Sequence, residues 1–315
     1  MRVCCACLVL TAVMAAPARA QLSTLRDPPP TGQLVDVGGY RVHLACSGRA
    51  RGSDPTVVIV GAGASFEWDL VTTDLAGRAR VCAYDHSGSV WSDDGPTDSC
   101  VLRVREVATA LERVHITGTL VVVGHSIGAL VARLFADQYS DRVAGLVLVD
   151  HATNTPVRNA SLPAGDRAVL GSAPPVGTGG VIGHRVPLGE GSFAKLPASA
   201  FSLHQWAATR PRDVATRQHS PTILGACEEA LSAQRARTQP LGDRFVAVLH
   251  VNNGEAITKT QGTSPYARLQ QQLAALSRRS HLIQVDRSSH FMMLDRPDVV
   301  IAAIDEALNA TKRRR

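Results

Sequence analysis

Apolar residues follow two rhythms along this chain. Short runs, continuous or alternating, occur at 34–37, 40–45, 56–60, 80–84, 120–123, 146–149, 245–249 and 281–285 and read as strands. The fully apolar ones suit strands buried on both faces. Between most of these runs apolar residues recur every three to four positions, which predicts helices at 102–114, 127–138, 266–276 and 299–308. Strands alternating with helices predict an α/β fold whose sheet is mostly parallel and covered on both faces. Gly38-Gly39, between the first two runs, predicts an antiparallel hairpin there.

The alternation stops between His151 and Leu241. That stretch opens with Gly, Pro, Ser and Ala, including Gly177-Thr178-Gly179-Gly180, and then shows helical spacing at 198–209 and 222–236. A connection this long is uncommon in a compact domain unless it covers something, so residues 151–241 are expected to form a lid inserted after the sixth strand. One domain, 21–315, is expected to carry both sheet and lid. Residues 1–20 stand apart: Arg2, an apolar stretch at 3–16, and Ala18-Arg19-Ala20 make a cleavable export signal that is too short for a membrane anchor. The protein is accordingly expected to be periplasmic or secreted, with no stable membrane span.

Charge narrows the partners. Of the net +6, Arg2 and Arg19 carry two and Lys312 to Arg315 the rest, so the body is near neutral and has no nucleic-acid footprint. Outside the export segment there are four cysteines, Cys46, Cys82, Cys100 and Cys227, enough for one or two disulfides in any of three full pairings. There is no His-Glu-x-x-His and no Cys/His spacing suited to zinc, so neither metal nor cofactor is expected.

The chemistry is carried by Gly124-His125-Ser126-Ile127-Gly128, set between an apolar strand and an amphipathic helix. In such a turn the serine is held exposed at the tip, and glycines flank it because a Cβ there would crowd the neighbouring strand or helix. Three further segments match in order: 60–65 with Trp68, 80–85 followed by Gly88, Trp91, Ser92 and Asp93, and Ser289-His290-Phe291 followed by Asp295-Arg296-Pro297. With these, residues 34–308 resemble the α/β-hydrolase family. The resemblance implies an eight-stranded sheet with helices on both faces, Ser126 after the fifth strand and a histidine after the eighth.

His290 fits that histidine because a short polar loop joins it to the last strand, at the sheet edge that carries Ser126. Two carboxylates compete to complete the triad. Asp150 ends the sixth strand, while Glu255 follows the seventh, where the family's usual glycine-then-aspartate loop reads 250–255 as His-Val-Asn-Asn-Gly-Glu. Asp150 is preferred and Glu255 is the alternative. Asp85 and Asp93 are expected to shape a turn. The resemblance also places an oxyanion hole on the backbone amides of Ala62 and Ile127, and Phe66, Trp68 and Phe291 are candidates to line an acyl pocket.

Serine, imidazole and carboxylate beside such donors imply acyl transfer to water through an acyl-enzyme, with a small or medium carboxylic ester as substrate. A lactonase, an amidase, or a hydrolase of carbon–carbon bonds would carry the same triad. A secreted binding protein would keep the fold with the triad broken. Oligomeric state is not legible.

Overall fold

The computed structural model describes residues 27–152, 191–252, 254–262 and 264–312. The expected export segment and the Gly- and Pro-rich start of the expected lid lie outside the described residues.

Eight strands form one sheet: β1 (Gln33–Asp36), β2 (Arg41–Ser47), β3 (Thr56–Val60), β4 (Val81–Asp85), β5 (Leu120–His125), β6 (Val143–Val149), β7 (Phe245–Val251) and β8 (Arg279–Val285). Their order is β1-β2-β4-β3-β5-β6-β7-β8. From β4 to β8 every pairing is parallel, while β2 runs antiparallel to both β1 and β4, so the expected hairpin is present.

The apolar runs explain the sandwich around this sheet. Side chains alternate across a strand: Val58, Val60, Cys82, Tyr84 and Val122 enter one core, and Val57, Ile59, Val81, Ala83, Val121 and Val123 enter the other. Helices α1 (Asp69–Ala76), α2 (Cys100–Arg113) and α3 (Ile127–Gln138) follow β3, β4 and β5. Ser99 starts α2 by accepting the Leu102 N–H at 3.1 Å, one of the four amides a helix start leaves without an intrahelical acceptor. Helices α2 and α3 cover the first core and α1 the second.

Between β6 and β7 the described part of the insertion forms a 3-10 turn (Ser192–Lys195) and helices α4 (Ala198–Thr209), α5 (Pro211–Ala230) and α6 (Ser232–Arg235). α5 starts eleven residues before the expected position, with Pro211 in its first turn, where the missing N–H costs nothing. The chain ends with α7 (Pro265–Ala274), β8, the short α8 (Met292–Asp295) and α9 (Pro297–Lys312), the last packed on the second core. Two disulfides complete the fold, Cys46–Cys82 and Cys100–Cys227, one of the three pairings open to the sequence. None of the described helices is long and apolar enough to cross a membrane.

Candidate active site

β5 runs straight into Ser126, whose backbone sits at φ 57° and ψ −123° before α3 begins. A serine rarely adopts such a conformation, which costs about 1–3 kcal/mol and persists only where the surroundings dictate it. Here they do. The Ser126 N–H donates to the Val149 carbonyl at 3.1 Å, and the Ser126 carbonyl accepts the Ala152 N–H at 3.1 Å, so the turn is laced to the end of β6. The flanking glycines allow the close approach: a Cβ on Gly128 would lie 1.9 Å from the Val60 carbonyl oxygen, and one on Gly124 would lie 2.5 Å from the Gly128 carbonyl oxygen. Ser126 keeps 8% of its surface exposed.

Asp150 follows β6 with φ at 39°, its N–H donating to the Leu249 carbonyl at 2.9 Å. Its carboxylate Oδ2 is hydrogen-bonded to His290 Nδ1, with both side chains largely buried. The loop carrying His290 is in turn tied to the serine turn: His125 Nε2 donates to the His290 carbonyl at 2.9 Å, and the two imidazole rings lie 4.5 Å apart. Glu255 goes elsewhere. Its carboxylate accepts the N–H and the hydroxyl of Ser264 at the start of α7. The structure therefore brings Asp150 to His290 and sets the Glu255 carboxylate on Ser264.

The other histidines near the strand ends have separate engagements. His151 meets Arg133 Nη1 at 3.0 Å, and His281 pairs with Glu306 at 2.8 Å. His250 is fully buried at the end of β7, and burial pushes its pKa below the ordinary imidazole value.

Ile127 is the first residue of α3, so its N–H has no intrahelical acceptor and lies at the positive end of the helix dipole. The loop after β3 comes close to it: the Cβ built on Gly128 lies 3.1 Å from the Gly61 carbonyl carbon, next to Ala62. That loop is held from two sides. Asp85, at the end of β4, accepts both the N–H and the hydroxyl of Ser65 at 2.7 Å and meets His43 Nδ1 at 2.7 Å. Glu67 accepts the Ala64 N–H at 3.2 Å and meets His204 Nδ1 on α4 at 2.9 Å. Asp85 thus fixes a loop rather than merely shaping a turn. Asp93 does shape one: it accepts the Arg41 N–H and guanidinium, tying the loop after β4 to β2.

Of the three aromatic candidates, Phe291 is half-buried beside His290, with ring centroids 5.5 Å apart. Phe66 is buried with its edge against Trp91. Trp68 is wholly inside the core and packs its edge on His125 at 6.1 Å, so its part is to back the turn rather than to face an open pocket. Sequence reasoning missed Glu67, His204 and Phe193. Phe193 stacks on His204 at 3.9 Å and reaches Phe291 at 4.6 Å, joining the insertion to the histidine loop. Glu67 carried one signal, its place three residues after Ala64 at a helix-like start. His204 and Phe193 carried none, because their roles depend on how the insertion folds back.

Residues 56–303 match the sequence model of the alpha/beta hydrolase family, and the chain belongs to that family. It is 34% identical over 163 residues to an uncharacterized protein of Mycobacterium tuberculosis, a match covering 48% of this chain and 46% of that one. With an uncharacterized protein of Schizosaccharomyces pombe it shares 31% over 149 residues, covering 38% of this chain and 28% of the relative. The chain thus spans less than half the length of these curated relatives. Among solved structures, an enol-lactonase from Burkholderia xenovorans superposes with a TM-score of 0.62 at 15% identity, covering 88% of this chain and all of that one. A thermophilic esterase from Thermogutta terrifontis gives 0.58 at 19% identity, covering 88% and 97%. The 2-hydroxy-6-oxo-6-phenylhexa-2,4-dienoate hydrolase of a Rhodococcus strain gives 0.62 at 18%, again covering 88% and 97%. At these identities the likeness is one of fold.

Proposed function

We propose that this protein is a serine hydrolase that cleaves carboxylic esters of small or medium size through an acyl-enzyme. The observation that carries the reading is the His290–Asp150 hydrogen bond, on a loop tied through His125 to the strained turn that presents Ser126. Asp150 holds His290 in the tautomer with Nδ1 protonated, which makes Nε2 the base. Nε2 takes the Ser126 hydroxyl proton as Oγ forms a bond to the ester carbonyl carbon. The resulting oxyanion lies on the amides of Ile127 and Ala62, and one such donor is typically worth about 3–4 kcal/mol in the transition state. The tetrahedral intermediate collapses by breaking the bond to the alcohol oxygen, which leaves with the proton from His290. Water, deprotonated by the same imidazole, then releases the acid and restores Ser126.

The described part of the insertion, from Phe193 to His204, supports its role as a lid over this site. The two disulfides support export, since such links persist in oxidising compartments.

Fluorophosphonate labelling tests the core of the reading. The wild-type protein is expected to take up the probe at Ser126, and Ser126→Ala and His290→Ala are each expected to abolish both labelling and p-nitrophenyl butyrate hydrolysis. Intact labelling of Ser126→Ala would sink the assignment. A panel of esters, lactones and amides then ranks the reaction classes, with the short esters expected first.

A further inference from the structure

Helix α3 presents Ser126 at its start, and two turns further along it buries Arg133. Only 4% of that residue is exposed. A guanidinium has five N–H donors and a permanent charge. Three donors are used: Nε and Nη2 go to Gln234 Oε1 of α6, at 3.2 and 3.0 Å, and Nη1 meets His151 Nε2 at 3.0 Å. Among the described residues no carboxylate pairs with it. Burial and the nearby positive charge of Arg235 push its pKa down to about 10, which still leaves it charged at neutral pH. A buried charge in this position is costly unless an anion meets it.

Space for an anion is present. Arg133 lines a cavity of about 440 Å³ together with Leu130, Leu269, Leu273, Gln234, Arg235 and Glu228. Asp137 and Glu228 both act on Arg133 and offset part of its charge. Arg237 pairs with Asp137, and the Arg235 guanidinium donates to the Glu228 carbonyl, so three guanidinium groups stand against two carboxylates. The balance is one positive charge, beside the leucines of the cavity.

We propose that this cavity is a binding site, separate from the serine, for a small organic carboxylate with an apolar tail, its carboxylate received by Arg133 and its tail by the leucines of α3 and α7. A carboxylate matches the planar guanidinium through paired hydrogen bonds and supplies one negative charge. A phosphate dianion would overcompensate and repel Glu228. An alcohol of the same length would leave the charge unmet.

The test is a thermal-shift titration of the wild-type protein with hexanoate, run beside 1-hexanol, chloride and inorganic phosphate at matched ionic strength. Hexanoate alone is expected to raise the melting temperature in a concentration-dependent way, since a ligand that binds only the folded state stabilises it. Arg133→Met keeps the length of the side chain and removes its charge, and Leu269→Trp fills the cavity. Each is expected to weaken hexanoate by about tenfold or more. No shift, an equal shift with hexanol or phosphate, or an undiminished shift in both variants would overturn the proposal. If Arg133→Met does not fold, Leu269→Trp alone decides it.

Discussion

Ser126 holds a backbone conformation that serine avoids, and its neighbours are chosen to keep it there. The Val60 carbonyl stands where a Cβ on Gly128 would lie, at 1.9 Å, and that carbonyl belongs to a central strand which cannot retreat. Gly128→Ala is therefore expected to lose about 2–3 kcal/mol in urea unfolding, as overpacked cores do. It should also lower turnover, because relief comes only by moving α3 and with it the Ile127 amide. The proposed acid is tested at the same scale. Asp150→Asn leaves the shape of the His290 contact but favours the wrong tautomer, and an expected fall of about 10³–10⁴ in kcat follows from the triad logic. Glu255→Gln, whose carboxylate is bound to Ser264, is expected to stay within about twofold of wild type, a change too small to implicate the transition state. Steady-state hydrolysis of a p-nitrophenyl ester compares them, and a large loss in Glu255→Gln with a small one in Asp150→Asn would reverse the assignment.

The histidine loop behaves as an element built on one carboxylate. Asp295, at the end of α8, accepts the Ser289 N–H at 2.8 Å and the Ser289 hydroxyl at 2.5 Å, and pairs with Lys195 of the insertion at 2.6 Å. Burial alone would raise its pKa, but the hydrogen bonds from Lys195, Ser289 and Ser192 outweigh it and hold the carboxyl below its ordinary value. A depressed carboxylate contributes stability that is fully present above the unfolded value near 3.9 and is lost as pH falls through the folded one. Asp295→Asn is thus expected to melt below wild type at pH 7, with the gap closing as the pH falls through the lowered folded value. A gap that stays constant with pH would show that the charge contributes nothing.

The loop also marks how far the sequence could be read. The strands were legible because β3 after Thr56 and β5 up to Val123 are unbroken apolar runs, whereas β6 begins at Val143, three residues earlier than expected, because Ala144 and Gly145 weaken the apolar signal. α1 carries Val71, Thr72 and Thr73, β-branched residues that blur a helical rhythm. Ser126 and His290 follow local patterns. The choice between Asp150 and Glu255 could not be read locally, because β6 and β7 are adjacent parallel strands and both deliver a carboxylate near the same edge. Only the position of the His290 loop in space separates them.

At the scale of the whole molecule, the disulfides do unequal work. Cys46 and Cys82 face each other across β2 and β4, whose ladder of five register pairs holds those strands together with or without the link. Cys100 and Cys227 instead join the start of α2 to the far end of α5, across 127 residues. The near end of α5 is fixed by Asp213 accepting the Val90 N–H at 2.7 Å and by Thr216 donating to the Gly88 carbonyl at 2.8 Å. Towards the far end Ile223 and Leu224 pack into the first core. A link closing so long a loop is worth up to about 5 kcal/mol in the chain-entropy account, with about 2–4 kcal/mol more usual. Because both cysteines are buried, alanine is the suitable replacement, adding no unpaired hydroxyl. The Cys100→Ala/Cys227→Ala pair is expected to lower unfolding stability by about 2–4 kcal/mol and to speed tryptic cleavage at Arg235 and Arg237 under native conditions. The Cys46→Ala/Cys82→Ala pair should lower global stability without that local sensitivity. Equal cleavage in the two double variants would mean that the far end of α5 is held without help from the Cys100–Cys227 link.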